Sequence, residues 1–225
     1  LISKYIMSSN KSFEIENEFY AKTKVDRINK IVVHYELYKK VNKLDGDILE
    51  FGVFKGTSLI QWASFREILG RSHEQKIIGF DTFDKFPETN FEKDKDLRNQ
   101  FVNEAGLSST SKTSLEKIFN YKEIKNFDLI EGDILKTLPN FIKENNNLRI
   151  ALLHIDVDIY EPTKIILDEL YDKVVDGGIV ILDDYKVFPG ETKAVDDFLN
   201  DKDVQIQQLP FSPKKPSFFI KKWKK

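Results

Sequence analysis

The sequence predicts an α/β fold in which a mostly parallel, seven-stranded sheet carries helices on both faces and ends in an antiparallel hairpin. Short apolar segments alternate with amphipathic segments along most of the 225 residues, and this alternation is typical of a parallel sheet covered by helices. The last two apolar segments are joined by a short connection that contains prolines. Strands joined in this way usually pair in an antiparallel direction.

The individual elements follow from hydrophobic periodicity and from turn residues. Strands are predicted at residues 47–51, 76–81, 127–131, 149–156, 178–182, 204–209 and 217–223. Helices are predicted at residues 23–42, 58–69, 113–121, 135–145, 162–173 and 192–200. This order divides the chain into an N-terminal helical cap region, residues 1–44, and a sheet domain, residues 45–225.

The first predicted helix has aromatic and aliphatic residues at three- and four-residue steps. They are Val25, Ile28, Val32, Tyr35 and Tyr38. Because a compact sheet domain does not need to cover all of them, we expect this region to close the mouth of an active site and to contribute to a homodimer interface. His34 is expected on the surface of the same helix.

Residues 82–112 follow the second predicted strand without a long apolar period. They combine phenylalanines with many charged side chains. A long segment at this position can act as a mobile lid over a bound acceptor, so we expect a lid insertion there. A partly disordered connector is the alternative.

The composition excludes several classes of protein. A net charge of −2 argues against a general nucleic-acid binder. The chain has no cysteine, which excludes disulfides, a thiolate nucleophile and a cysteine-ligated zinc site. No apolar run approaches the roughly 20 residues that cross a bilayer, and residues 1–10 lack the apolar core of a signal peptide. A cytoplasmic protein without a membrane span is expected.

The most informative segment is residues 48–58, which read ILEFGVFKGTS. An apolar segment contains Glu50 near its end, and the chain then turns through Gly52 and Gly56 into a helical segment. A strand, a glycine-bearing loop and a helix start bring backbone amides close to a ligand. The spacing differs from those of the dinucleotide-binding and phosphate-binding glycine motifs, and a purely structural turn is the alternative.

Acidic residues end the second and third predicted strands, where ligands bind in open α/β sheets. Asp81 lies one βαβ unit after Glu50, a position from which a carboxylate can accept hydrogen bonds from two ribose hydroxyls. Gly132 and Asp133 follow the third strand, where a small residue admits an adenine ring and Asp133 can accept from its amino group. A helix N-cap is the alternative role of Asp133.

A larger group of carboxylates follows the fourth and fifth predicted strands. Alternation along a strand places His154, Asp156 and Asp158 on one side, and Asp183 and Asp184 end the neighbouring strand. Four carboxylates at one rim repel one another unless a cation or protons intervene. An all-oxygen group suits Mg²⁺, with Mn²⁺ or Ca²⁺ as substitutes, and does not suit zinc.

Five ordered motifs are similar to those of one enzyme family. They read EFGVxxGxS, GFDTFDxFP, HIDVDxYEPT, GGxxxxDDY and GxxxAVDDF, and they span about residues 45–200. Together they resemble the TylF/MycF family of sugar O-methyltransferases, which depend on S-adenosylmethionine (SAM) and Mg²⁺. The resemblance implies the class I SAM-dependent methyltransferase fold, a Rossmann-like sheet.

The resemblance also implies roles for named residues. Asp156, Asp183 and Asp184 are the expected metal ligands, and Asp158 is the expected general base. The expected SAM contacts are Glu50, Gly52, Val53, Phe54, Gly56, Thr57, Ser58, Asp81, Thr82, Gly132, Asp133 and Asp156. The expected acceptor is a small molecule or glycan that carries a sugar hydroxyl.

The residue chemistry agrees with such a reaction. SAM already carries a sulfonium leaving group, so the enzyme must mainly align the acceptor hydroxyl and remove its proton. Bound Mg²⁺ stabilises a developing alkoxide, and a neighbouring carboxylate takes the proton. His154 is the alternative base.

Two other functions are compatible with parts of the sequence. Asp156-Val157-Asp158 also fits the metal motif of a glycosyltransferase that uses a nucleotide sugar, but that function leaves Glu50–Ser58 unexplained. An inactive methyltransferase-like binding module is the third possibility, although its expected mark, a broken acidic cluster, is not present.

The C-terminal end of the chain is rich in lysine, at positions 214, 215, 221, 222, 224 and 225. These lysines either attract a phosphorylated acceptor or protect an edge strand.

Overall fold

A computed structural model describes residues 2–222, with side chains from residue 11 onward. Within this range the helices are α1 (Ile2–Lys22), α2 (Val25–Val41), α3 (Thr57–Ile68), α4 (Lys95–Ala105), α5 (Lys112–Tyr121), α6 (Ile134–Glu144), α7 (Tyr160–Leu170) and α8 (Pro189–Leu199). The strands are β1 (Asp47–Phe51), β2 (Ile77–Asp81), β3 (Phe127–Glu131), β4 (Ile150–Ile155), β5 (Val174–Leu182) and β6 (Ser217–Ile220). Short 3-10 turns precede α4 and β5, at Glu92–Asp94 and Tyr171–Lys173.

The strands form one sheet in the order β3-β2-β1-β4-β5-β6. β1 to β5 are parallel, and β6 pairs with β5 in the antiparallel direction. The order reverses between β1 and β4, and ligands bind beyond the carboxyl ends of the strands at such a reversal. The predicted parallel α/β sheet with an antiparallel C-terminal end is confirmed.

The sheet of the described residues has six strands rather than the predicted seven. Exposure alternates along residues 204–207 as in a strand. The segment 204–209 pairs with β6 only at Gln207, through two backbone hydrogen bonds with Phe218. Val204 and Ile206 still pack against the core. The predicted last strand ends at Ile220, and Trp223 lies outside the described residues.

Apolar side chains fill both faces of the sheet. Every residue of the central strand β4 is buried, as expected for a parallel strand with helices on both sides. None of the described helices is both long enough and apolar enough to cross a membrane.

The buried face of α2 differs from the predicted one. Val25 and Val32 are 80% and 44% exposed, whereas Val33, Leu37 and Val41 are buried. His34 is buried as well, contrary to the expected surface position. The cause is tertiary, because α2 packs against both α3 and the sheet, and the residues between two such surfaces become buried whatever their polarity.

Gly52 allows the loop after β1 to touch the loop after β4. Its φ is +89°, and a Cβ at this position would overlap the carbonyl oxygen of Asp156. The amide of Asp156 in turn donates to the carbonyl of Phe51 over 2.9 Å. The glycine-bearing loop and the acidic rim are therefore in direct backbone contact.

We expect Gly52→Ala to destabilise the protein much more than Gly70→Ala. Both glycines have positive φ, but a Cβ at Gly70 meets nothing within 4 Å. Gly70→Ala should cost about 1 kcal/mol for the left-handed backbone, and Gly52→Ala a further 1–3 kcal/mol or so for overpacking. Urea unfolding measures both, and equal losses would contradict the close approach.

Candidate active site

A cavity of about 770 Å³ lies beyond the carboxyl ends of β1, β2, β4 and β5. The loop after β1 forms one side, and the acidic rim after β4 and β5 forms another. Residues of α2 and of the segment 82–109 close the remaining sides. The N-terminal cap region and the expected lid both contribute walls to the same space.

The loop after β1 presents most of its expected SAM contacts to this cavity. Gly52, Val53, Phe54, Thr57 and Ser58 line it. Gly56 does not; its φ is +84° and it faces the side chain of Leu115 on α5.

Glu50 is fully buried below the loop and does not line the cavity. Its carboxylate accepts a hydrogen bond from the Ser58 hydroxyl over 3.0 Å and lies 3.2 Å from Nδ1 of His154. These contacts give Glu50 a supporting position behind Ser58.

Asp81 and Thr82 reach the cavity from the end of β2. The Asp81 carboxylate accepts hydrogen bonds from the amides of Phe54 and Phe83, over 2.9 and 2.7 Å. Asp81 therefore connects the loop after β2 to the loop after β1 and keeps both close to the cavity.

Asp133 has the helix N-cap role that was the alternative prediction, and its contact with adenine stays a prediction. It lines the cavity, and its side chain caps α6 by accepting from the amide of Leu135. Gly132 adopts a φ of +133° without lining the cavity.

Three aspartates form a compact oxygen cluster at the acidic rim. Carboxylate oxygens of Asp156, Asp158 and Asp184 lie within 4.8 Å of one another. Strand alternation does not produce this arrangement, because β4 ends at Ile155 and Asp158 takes a left-handed conformation with φ +63°. Such a φ is uncommon for a residue other than glycine and is concentrated at functional sites.

Asp183 faces a different set of partners. One of its oxygens accepts from the Lys30 ammonium over 2.9 Å, and the other lies 3.4 Å from Nε2 of His154. It groups with His34 and His154 rather than with the oxygen cluster. Since the Lys30 ammonium already provides the positive charge beside Asp183, this second group does not need a metal ion.

Two lysines carry positive charge into the rim. Lys30 of α2 lies 3.7 Å from Asp156 as well as 2.9 Å from Asp183. Lys215, in the connection before β6, binds Asp184 over 2.7 Å. Lys30 was not predicted as a site residue, and Lys215 was predicted only as one of several lysines that attract a phosphorylated acceptor or protect an edge strand. The packing of α2 and of the C-terminal connection brings both lysines to the rim.

The pKa values reflect crowded like charges. Burial and the charge of Asp183 raise the pKa of Asp156 to about 7. Burial and the charges of Asp184 and Asp156 raise the pKa of Asp158 well above its usual value. For Asp183, burial is outweighed by Lys30 and His154, and its pKa falls well below the usual value.

His154 is fully buried and does not line the cavity. Burial alone would lower its pKa, but the hydrogen bonds to Asp183 and Glu50 prevail and raise it to about 10. Nδ1 of His154 faces Glu50 and lies 3.3 Å from the indole nitrogen of Trp62, and Nε2 faces Asp183, so His154 links the glycine-bearing loop to the acidic rim. His34 stacks on Trp62 and pairs with Gln61, and burial lowers its pKa well below the usual value.

A family model described as macrocin O-methyltransferase (TylF) matches residues 20–209. The chain belongs to the macrocin O-methyltransferase family. The resemblance seen in the five sequence motifs is thereby confirmed, and the match includes α2 with Lys30 as well as every residue of the acidic rim.

Relatives of this TylF-family chain are named as methyltransferases. Demethyldecarbamoylnovobiocin O-methyltransferase of Streptomyces niveus is 29% identical over 70% of the chain and 59% of that enzyme. A tetracenomycin-C 4'-O-methyltransferase of Streptomyces olivaceus, named for a dimethoxy-rhamnosyl substrate, is 27% identical over 63% of the chain and 54% of that enzyme. The chain thus spans less than two thirds of the length of these relatives.

The crystal structure of CalS11, a calicheamicin methyltransferase, has the same fold. It superposes with a TM-score of 0.78 and 26% identity, over 93% of this chain and 85% of CalS11. CalS11 has also been solved in its apo form, where it is described as a TDP-rhamnose 3'-O-methyltransferase. The class I methyltransferase fold predicted from the sequence is confirmed.

We expect Lys30→Met to lower the free energy of unfolding by about 2–4 kcal/mol, because it leaves Asp183 buried without its main counter-charge. Lys39→Met on the same helix is the control. Lys39 pairs with Glu36 at the surface, and its loss should change stability much less, because solvent screens an exposed ion pair. Equal effects in urea unfolding would show that Lys30 does not neutralise the rim.

Proposed function

We propose that this protein transfers the methyl group of SAM to a hydroxyl of a sugar, and that the reaction depends on Mg²⁺. The observation that carries the proposal is that the glycine-bearing loop and the carboxylate cluster open onto one cavity. Family membership and the sugar-methylating relatives support the same reaction.

SAM is proposed to bind against the loop after β1. Val53, Phe54, Thr57 and Ser58 would contact its methionine part, with Glu50 supporting Ser58 from behind. Asp81 and Thr82 would hold the ribose, and Gly132 and Asp133 would border the adenine. Because Asp81 already accepts from the amides of Phe54 and Phe83, ribose binding would also fix the loops after β1 and β2.

The acidic rim fits a hard divalent cation. Its donors are carboxylate oxygens, the class that Mg²⁺ prefers, and three of them are already within 4.8 Å of one another. Lys30 and Lys215 face the four aspartates of the rim, and carboxylates crowded in a largely buried place favour a bound cation. Asp156 and Asp184 would hold the ion, which would acidify the acceptor hydroxyl. Asp183, whose oxygens face Lys30 and His154, would join them by turning one oxygen away from Lys30.

The protein's own residues would perform the proton transfer and the alignment. Bound SAM would supply the methyl group, the acceptor oxygen would be the nucleophile, and S-adenosylhomocysteine would be the leaving group. Asp158, which lines the cavity beside Asp156 and Asp184, takes the hydroxyl proton. His154 is a weaker candidate than Asp158, because it is fully buried between Glu50 and Asp183 and does not line the cavity.

The rival functions explain less of the site. A glycosyltransferase would use the carboxylates but would leave the glycine-bearing loop and the family match without a role. An inactive module would not require the intact oxygen cluster. The homodimer, the cytoplasmic location and the lack of a nucleic-acid partner stay predictions.

Methyl transfer can be tested with labelled SAM and TDP-rhamnose, together with glycosylated natural products as further acceptors. We expect a labelled methyl ether on the sugar, loss of activity in EDTA, and recovery on addition of Mg²⁺. Full activity in EDTA would contradict the metal's role. Transfer of a sugar without use of SAM would favour the glycosyltransferase.

Asp158→Asn should reduce the turnover number by about 10²–10⁴-fold, the usual contribution of a general base. Asparagine tolerates the left-handed backbone of this position, so the change removes basicity with little strain. SAM affinity, measured by calorimetry, should hardly change. Near-normal turnover would reject Asp158 as the base.

A further inference from the structure

Asp94 is a fully buried carboxylate in the segment expected to form the lid. One of its oxygens accepts from the amide of Gly190 over 2.6 Å, and the other accepts from the amide of Tyr160 over 3.0 Å. Among the described side chains, no lysine or arginine forms a salt bridge with it. Its charge is therefore stabilised mainly by backbone amides from another part of the chain.

These two amides belong to the first turns of α7 and α8. Each first turn has unpaired amides and a partial positive charge, so a carboxylate is favourable there. α7 begins two residues after Asp158, which follows β4, and α8 begins five residues after Asp184, which follows β5. Asp94 thus joins two helix starts that are far apart in sequence but adjacent at the rim.

Both helix starts are connected to the proposed catalytic aspartates. Tyr160 lies two residues after Asp158. Glu191, next to Gly190, donates its amide to the carbonyl of Asp158 and accepts from the amide of Asp184 through its side chain, each over 3.2 Å. A shift of either helix start would therefore move Asp158 relative to Asp184.

The fit around Asp94 is tight. A Cβ on Gly190 would overlap the Asp94 carboxylate. The carboxylate can therefore lie this close to the start of α8 only because residue 190 is glycine. Nearby, Glu161 accepts from the Thr89 hydroxyl and the Asn90 amide over 3.0 and 2.9 Å.

The far end of the same segment is attached to the glycine-bearing loop. Lys55 donates to the carbonyl of Ser108 over 2.6 Å, and the Thr110 amide donates to the carbonyl of Phe54 over 2.8 Å. The segment between residues 82 and 112 therefore spans from the proposed SAM loop to the acidic rim.

We propose that Asp94 is a positioning residue: by binding the starts of α7 and α8, it sets the geometry of Asp158 and Asp184 when the lid lies over the cavity. The role in catalysis rests on the proposed methyl transfer. The physical reason is that a buried carboxylate is costly without its hydrogen bonds. Asp94 is therefore buried only while both helix starts are held in this arrangement, which couples lid closure to the rim.

The test compares Asp94→Asn with Asp96→Asn. Asparagine has one acceptor oxygen and places an NH₂ group against the other amide, so one hydrogen bond is lost at nearly constant size. Asp96 is exposed in the first turn of α4, and its substitution is the matched control on the same segment. Two quantities are measured: hydrogen exchange at the amides of Tyr160 and Gly190, and the steady-state kinetics of methyl transfer.

In Asp94→Asn, we expect exchange at one or both amides to accelerate by about 10-fold or more, as for loss of a charge-assisted hydrogen bond. The turnover number should fall by about 10–100-fold, the effect of a small displacement of reacting groups. SAM affinity should stay within about twofold, and Asp96→Asn should behave as the unmodified protein. A purely structural role would lower stability without this split between turnover and SAM binding.

Unchanged exchange in Asp94→Asn would overturn the proposal, and so would faster exchange with unchanged turnover. If the unmodified protein methylates no acceptor, the proposed function fails, while the exchange measurement still decides whether Asp94 holds the two helix starts. Should Asp94→Asn not fold, Gly190→Ala serves as the second variant, because its Cβ would overlap the Asp94 carboxylate and displace it. Unmodified turnover in Gly190→Ala would overturn the proposal.

Discussion

Electrostatic repulsion between the four aspartates that follow β4 and β5 is the constraint that determines how the site is arranged. Asp156, Asp158, Asp183 and Asp184 converge within a largely buried rim, where water cannot screen them well. Carboxylates so placed must bind protons, cations or positively charged side chains. All three responses are present at the rim. The pKa of Asp156 is raised to about 7, Lys30 and Lys215 form ion pairs with the aspartates, and three carboxylates form an oxygen cluster suited to an ion.

This constraint gives the outer parts of the chain a function in the site. α2 lies outside the sheet, yet it delivers Lys30 to Asp183 and Asp156. The connection before β6 delivers Lys215 to Asp184. Lys30 is only a quarter exposed whereas Lys215 is about half exposed. Since a buried charge is harder to release, Lys30 is the more permanent counter-charge and Lys215 the more easily displaced one.

Buried polar links then connect the two halves of the cavity. His154 lies between Glu50 below the glycine-bearing loop and Asp183 at the rim. Gly52 brings the same loop into backbone contact with Asp156. The segment between residues 82 and 112 contacts the glycine-bearing loop through Ser108 and the starts of α7 and α8 through Asp94. The two halves of the cavity are therefore parts of one connected network.

The sequence by itself determined the sheet class, most element positions and the candidate site residues. Glycine turns and strand-end carboxylates can be recognised locally, because each follows its strand within a few residues and parallel strands end at the same edge. This is why Asp81, Asp156, Asp158 and Asp184 were predicted and now line one cavity. The prediction of a strand at residues 204–209 was wrong, because the segment pairs with β6 at one position only. Local alternation of exposure does not ensure that a segment pairs along a whole sheet edge.

Only the tertiary structure decided which distant residues serve that cavity. Lys30 meets a carboxylate 153 residues away, and Asp94 meets an amide 96 residues away. His34 has the local pattern of a surface residue and is buried because α2 packs between α3 and the sheet. The physical reason is the same in each case. Charge neutralisation and burial depend on which elements pack together in space, whereas sequence periodicity describes one element at a time.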